Sequence, residues 1–267
     1  MPRSTSITIL LLLFFTASGF SRSRTVMVIA HRGAHNQYPE NTIPAFKAAI
    51  EMGADYFECD VRTTADGTLV IMHNGTVNAT TNGQGAVRRM TFKQIEALDV
   101  GVKFSPEFAG TRVPTFEQTL KLARGKIGVY VDAKDTSRNF AEAVVNDLKQ
   151  FRMVPHSVVY GYSLSFFRDV VQFDPNIRIM PEAVNQTLLH TLVGEFHPQV
   201  IAFDASDFKP PLISITQQAG AKIFVDRLGS ADNPEAWQAA IDLGADGIQT
   251  NYPAKLLGYL RAHGYHR

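Results

Sequence analysis

From residue 26 onward, short β-branched and aromatic runs alternate with amphipathic stretches. Most of the gaps between runs are long enough for a helical crossover, and titratable side chains gather directly after several runs. These three observations predict an α/β fold. The expected architecture is a (β/α)8 TIM barrel with a β-hairpin return strand over about 68–73 and an insertion over the barrel mouth at about 74–113.

The first 23 residues stand apart from that pattern. MPRSTS carries Arg3, ITILLLLFFTASGF is almost wholly apolar, and small polar residues follow. This is the layout of a secretory signal. An apolar run of about 14 residues is short for a membrane span, which needs roughly 20, so an uncleaved anchor is the lesser alternative. The expected organisation is a signal peptide at 1–23 and a single barrel domain at 24–267, exported to a periplasm or secreted, with no stable membrane insertion after cleavage. Loss of Arg3 and Arg22 takes the basic residues from 26 to 24 against 25 acidic ones, a net charge of −1. Such a chain has no electrostatic footprint for nucleic acid. Cys59 is the only cysteine, so no intrachain disulfide can form.

The strand-like runs, in order, are VMVIA (26–30), DYFECDV (55–61), TLVIMH (68–73), IGVYVDA (127–133), SVVYGY (157–162), IRIMPEA (177–183), VIAFDA (200–205), KIFVDR (222–227) and DGIQT (246–250). The gap between the second and third is too short for a parallel crossover, which needs a dozen residues or more. It suits a hairpin turning at Asp66-Gly67. Eight parallel strands then remain. A turn centred between Asp66 and Gly67 pairs position 60 with position 73, so that Asp60 faces His73.

Between the runs, IPAFKAAIEM places Phe46, Ala49 and Ile50 on one helical face and ends at Gly53. Thr91 with Gln94, and Thr115 with Gln118, have capping-box spacing. EMGADYFECD (51–60) and DLGADGIQT (242–250) echo each other as helix end, Gly-Ala-Asp, strand. Asn74 to Gly110 is the longest stretch without a clear strand. Long loops in compact domains are usually functional.

In a parallel barrel the C-terminal strand ends form the active face. Those ends carry His31 and Arg32, then Glu58 and Asp60, then Asp132 and Lys134, with His73 delivered by the hairpin. Glu58 and Asp60 alternate along one strand and so point to the same side, with Cys59 turned away as a buried hydrophobe. Adjacent inward carboxylates repel unless something neutralises them. Asp132 would complete an oxygen set for Mg2+ or Ca2+, and the spacing does not suit structural zinc. His31 and His73 are two imidazoles suited to acid–base work near neutral pH, and Arg32 and Lys134 supply positive charge for a phosphate. Glu40 and Asn41, in PENT, lie before a helix starting near Thr42. They read partly as a cap and partly as support that places Glu40 near the metal, holding His31 or a ligand. His35 reads as ordering the loop.

These motifs, HRG…PENT, GADYFECDV, LVIMH, DAK and GADGIQTNYP, occur in this order and together resemble the glycerophosphodiester phosphodiesterases, over most of the chain from about Val26. The resemblance implies metal-dependent cleavage of a small-molecule glycerophosphodiester. It implies His31 and His73 as the acid/base pair and Glu58 and Asp60 as metal ligands, with Arg32 and Lys134 on the phosphate. The chain departs from the family's pattern in several places. Asp132-Ala-Lys134 stands where Glu-x-Lys is usual, His73-Asn74 where His-Asp is usual, Asp226 where an Asn-ending strand is usual, and Thr250-Asn251 where Thr-Asp is usual. The competing readings are a phospholipase D or sphingomyelinase D-like enzyme and an inactive barrel that binds a polyol phosphate. The sequence leaves the oligomeric state open.

Overall fold

The computed structural model describes residues 25–267. The signal-peptide expectation at 1–23 lies outside the described residues.

Nine strands form one sheet: β1 (Met27–Ala30), β2 (Tyr56–Thr63), β3 (Leu69–Ile71), β4 (Gly128–Ala133), β5 (Ser157–Gly161), β6 (Ile179–Pro181), β7 (Val200–Phe203), β8 (Lys222–Asp226) and β9 (Gly247–Thr250). The parallel order β6-β5-β4-β2-β1-β9-β8-β7 closes on itself through a bridge between Glu182 and Ala202, where Ala183 N donates to Ala202 O at 2.9 Å. This is the predicted eight-stranded parallel barrel, and each of the nine sequence runs holds one strand. Helices α1 (Ile43–Met52), α2 (Phe92–Glu96), α3 (Phe116–Ala123), α4 (Arg138–Gln150), α5 (Leu164–Phe173), α6 (Gln186–Phe196), α7 (Pro210–Gln218), α8 (Pro234–Asp242) and α9 (Pro253–Ala262) follow. All but α2 connect or follow parallel strands. Among the described residues no helix is long and apolar enough to cross a membrane.

Alternation along each strand sorts the side chains into two cores. Ile29, Tyr130, Val158, Tyr160, Met180, Val200, Ala202 and Phe224 fill the barrel interior. Phe46, Phe57, Phe140, Phe166 and their neighbours fill the larger layer between strands and helices. Each fully buried phenylalanine there contributes roughly 2–3 kcal/mol. Gly247 leaves room for a ring inside the barrel, since a Cβ on it would come within 2.7 Å of Phe224.

The helix-to-strand echo is a repeated turn. Gly53 (φ +86°) and Gly244 (φ +105°) both take the left-handed conformation that ends a helix. Two residues on, Asp55 accepts from Val28 N at 2.7 Å and Asp246 from Ile223 N at 2.9 Å. Both expected glutamine returns form, Gln94 accepting from Thr91 N and Gln118 from Thr115 N.

The antiparallel hairpin is present, with one correction. Thr64 N donates to Thr68 O, which leaves a three-residue turn of Ala65, Asp66 and Gly67, with Gly67 at φ +83°. The turn is therefore centred on Asp66, and Val61 pairs with Ile71. Asp60 accordingly lies beside Met72, whose N–H donates to the Asp60 carbonyl at 2.8 Å, and does not face His73. A one-residue change in turn length shifts every partner by one. Beyond β3 the insertion builds a small core of its own from Val70, Met72, Val77, Val87, Ile95, Val100 and Val113.

Candidate active site

The site begins where β1 runs out. His31 N still donates to Thr250 O in sheet fashion at 3.1 Å. Arg32 (φ +51°) and Gly33 (φ +77°) then turn left-handed. Only glycine suits position 33, because a Cβ there would lie 2.7 Å from the Ala45 carbonyl carbon of α1. The turn aims the Arg32 N–H at Glu58 Oε2, 2.7 Å away. Asn41 is also left-handed (φ +58°), and its side chain clamps Asp60 from two directions. Asn41 Nδ2 donates to Asp60 Oδ2 at 2.6 Å, and Asp60 N donates to Asn41 Oδ1 at 3.2 Å. Helix α1 is capped by Thr42, so Asn41 is free for this clamp. Glu40 accepts from Arg32 Nη1 at 3.0 Å. It therefore supports the arginine, and no bond joins it to His31.

Glu58 and Asp60 share the inner face of β2, and Asp132 sits opposite Asp60 in the β2–β4 register. One oxygen from each of the three lies within 4.8 Å of the others. Lys134 Nζ bridges two of them, 2.6 Å from Asp132 and 2.9 Å from Asp60. Glu58 Oε1 and Asp132 Oδ1 are buried with no hydrogen-bond partner. Burial, then Asp60 and Asp132, pushes the Glu58 carboxyl well above its ordinary range. Burial also raises Asp132, with Asp60 adding to it against Lys134. For Asp60, burial acts upward but is outweighed by Lys134, Asn41 and Arg32, so its carboxyl stays low. Three hard oxygen donors, two of them orphaned, fit a divalent cation.

His31 stands beside this triad. Its Nδ1 lies 2.7 Å from Asn251 Oδ1, and the same oxygen lies 2.8 Å from His35 Nε2. Asn251 is itself fixed through Asp232, which accepts from Asn251 N and Thr250 Oγ1 at 2.6 Å each and from Trp237 Nε1 at 2.9 Å. Burial first and Arg32 second push the His31 imidazolium down to about 3, so the ring is neutral. His73 sits at the rim with Nδ1 2.9 Å from Asn74 Oδ1. The Arg62 guanidinium grips the carbonyls of Met72 and His73 and holds that backbone in place.

All nine residues singled out in the sequence, His31, Arg32, Glu40, Asn41, Glu58, Asp60, His73, Asp132 and Lys134, thus come to the C-terminal mouth of the barrel. Asn251 and Asp232 escaped the sequence reading as supports of His31. So did an acidic group on the opposite wall: Glu182 after β6, Asp204 after β7 and Asp226 at the end of β8. The Tyr160 hydroxyl donates to Glu182 Oε2 at 3.0 Å, and Gln249 Nε2 donates to Asp226 Oδ1 at 3.0 Å. Burial and then Asp204 raise Glu182 to about 7, and burial and then Asp204 and Glu182 raise Asp226 to about 8. Counting inward positions to the end of every strand would have found this group.

A barrel whose mouth gathers an oxygen triad, two histidines, an arginine and a lysine has the groups that hydrolysis of a phosphodiester calls for. Residues 31–255 match the model of the glycerophosphoryl diester phosphodiesterase family, and the chain belongs to that family. It is 34% identical to a glycerophosphodiester phosphodiesterase of Caldanaerobacter subterraneus subsp. tengcongensis, over 89% of this chain and 99% of that one. Its fold superposes on the crystal structure of a glycerophosphodiester phosphodiesterase from Agrobacterium tumefaciens with a TM-score of 0.77 and 29% identity, over 86% of this chain and 98% of the other. It also shares its fold with an Oleispira antarctica phosphodiesterase solved with the product sn-glycerol-3-phosphate, at a TM-score of 0.80 and 22% identity over 89% and 97% of the two chains.

Proposed function

We propose that this enzyme hydrolyses glycerophosphodiesters to sn-glycerol 3-phosphate and an alcohol, with Mg2+ or Ca2+ held by Glu58, Asp60 and Asp132. The observation that carries the reading is the pair of orphaned buried oxygens, Glu58 Oε1 and Asp132 Oδ1, in a triad flanked by His31. A bound divalent cation supplies Lewis acidity and offsets negative charge on the phosphoryl group.

The side chains supply the rest. The Arg32 Nε makes no hydrogen bond and lies 3.5 Å from Asp60, so it has a donor to give to a phosphoryl oxygen. Lys134 adds a second positive charge. An amide oxygen only accepts, so the bond to Asn251 places the His31 proton on Nδ1 and leaves the Nε2 lone pair as general base. His31 takes a proton from the nucleophile, a water or the substrate's own glycerol hydroxyl, whose oxygen bonds to phosphorus as the bond from phosphorus to the alcohol oxygen breaks and His73 protonates that leaving oxygen; where the glycerol hydroxyl attacks, water opens the resulting cyclic phosphate in a second step. The apolar run at the N-terminus supports action outside the cytoplasm.

The test is release of glycerol 3-phosphate from glycerophosphocholine by residues 24–267 after EDTA treatment, with Mg2+, Ca2+ or no metal added. Metal-dependent release that His31→Ala and Glu58→Ala both abolish is the expected result. No release with any metal overturns the proposal for this substrate.

A further inference from the structure

The wall opposite Arg32 and Lys134 has an excess of acceptors. Glu182, Asp204 and Asp226 stand at or just past the ends of β6, β7 and β8, which are consecutive around the barrel. Two donors serve them, the Tyr160 hydroxyl and Gln249 Nε2. Gln249 is only 5% exposed, its amide is turned to Asp226, and its buried Oε1 has no partner. The nearest cation faces elsewhere. Arg227 donates to the carbonyls of Ala236 and Asp226 and lies over the Phe208 ring, 5.2 Å from its centroid. Lys134 is engaged by Asp60 and Asp132. Three acidic side chains and an orphaned amide oxygen therefore stand together with no cation bonded to them.

Among the described residues only Glu58, Asp60 and Asp132 form a set of three such side chains with ligand atoms within 4.8 Å of one another, so the second acidic set is not a ready-made metal site. Two aromatic rings border it. Tyr160 and Tyr162 meet edge to face with centroids 5.0 Å apart, and Tyr162 is 64% exposed at the mouth, a position from which it contributes little to the core. Ring faces attract alkylated ammonium groups, and such a cation favours ionisation of the acids beside it.

We propose that Glu182, Asp204 and Asp226, with the rings of Tyr160 and Tyr162, form a subsite for the ammonium head of the substrate's alcohol, as in choline or ethanolamine esters. This inference rests on the phosphodiesterase reading for its substrate and adds to it a preference for a cationic leaving group. The phosphate would lie between the two walls, with Arg32 and Lys134 on one side and the ammonium against the carboxylates on the other. The family match does not require this arrangement, because the cleaved bond is the same whatever the alcohol.

The test has two arms on the purified protein. The first compares kcat/KM for glycerophosphocholine and for glycerophosphoglycerol, whose alcohol is neutral, in wild type, Glu182→Gln and Asp226→Asn. The expected result is a wild-type preference for the choline ester that falls at least 10-fold in each variant. An equal loss on both substrates assigns the acidic wall to the shared glycerol end and overturns the subsite. The second arm needs no turnover. Calorimetry compares binding of choline with that of its neutral isostere, 3,3-dimethylbutan-1-ol. Choline alone should bind, and Glu182→Gln and Asp226→Asn should abolish it, with melting curves showing that the variants are folded. Equal binding of the two alcohols, or none, overturns the proposal. Selective choline binding without turnover of either ester would sink the phosphodiesterase reading and leave the ammonium site standing.

Discussion

Asn251 Oδ1 accepts from His31 Nδ1 at 2.7 Å and from His35 Nε2 at 2.8 Å, so one amide oxygen orients both histidines of the first loop. The rings meet edge to face with centroids 5.3 Å apart. Asn251→Leu removes the acceptor, so His31 can flip or change tautomer. The expected loss in kcat is about 10- to 100-fold, similar to the cost of losing other orienting groups, with KM little changed. Asn251→Asp replaces the amide with a negative charge. It should raise the His31 pKa, so the base is lost at a higher pH and the acid limb of kcat/KM moves upward. Steady-state profiles of wild type and both variants between pH 4 and 9 check this: an acid limb entering that range in the Asp variant alone is the expected result, and its absence would exclude His31 as the titrating base.

His31 and His73 are held in different ways, and that predicts different rescue. Both rings are half-buried, but His31 is fixed by Asn251, itself held by Asp232, whereas His73 sits at the rim beside the exposed Asn74, on a backbone gripped by Arg62. Alanine at either position should lower kcat by about 100- to 10,000-fold, the usual worth of a positioned acid or base. Added imidazole should restore part of the His73→Ala activity, because that vacancy opens to solvent, and little of the His31→Ala activity. Strong rescue at position 31 alone would reverse the assignment of fixed base and rim acid.

Much of this was legible in the residues. The strand runs were readable because period-2 alternation and apolar composition agree. The return strand followed from chain length alone. Its register did not, because a two-residue and a three-residue turn both fit Asp66-Gly67, and hydrogen bonding at Thr64 and Thr68 decides between them. Glu58, Asp60 and Asp132 were visible as inward positions at strand ends. Asn251 and Asp232 were hidden because their role depends on β9 lying beside β1, a contact between the two ends of the chain. Glu182, Asp204 and Asp226 were hidden for a similar reason, since each lies alone on its own strand and only closure of the barrel makes them neighbours.

The metal triad stores repulsion when no cation offsets it. Glu58→Gln keeps the shape and the bond from Arg32 N while removing a carboxyl that burial and two acidic neighbours disfavour. After EDTA treatment this variant should melt several degrees above wild type, where about 1 kcal/mol corresponds to roughly 2–4 °C for a chain of this size. With Mg2+ or Ca2+ added, the order should reverse, because only wild type gains from binding. Metal titrations followed by melting temperature read both effects. A variant less stable than wild type without metal would show that the triad is not strained by its charges.

The acidic wall makes a separate prediction about stability and pH. Asp226 has an ordinary value of 3.8 and is raised to about 8 in the fold by burial, with Asp204 and Glu182 adding to it. Between those values the folded chain keeps the proton and the unfolded chain has lost it. The favourable contribution is therefore present in full below about pH 4 and is lost as pH rises through about 8. The slope is at most about 1.4 kcal/mol per pH unit for one group. Glu182 acts in the same direction, from 4.5 up to about 7. Asp226→Asn mimics the neutral acid and can still accept from Gln249 Nε2, so it removes the Asp226 share of this slope. The expected result, in EDTA, is a flatter curve of melting temperature against pH from 5 to 8. The variant should be the more stable throughout, with the smallest difference at pH 5 and the largest at pH 8. Parallel curves would mean that Asp226 is already ionised in the folded chain, with some positive group beside it other than Arg227, whose guanidinium is turned toward Ala236 and Phe208.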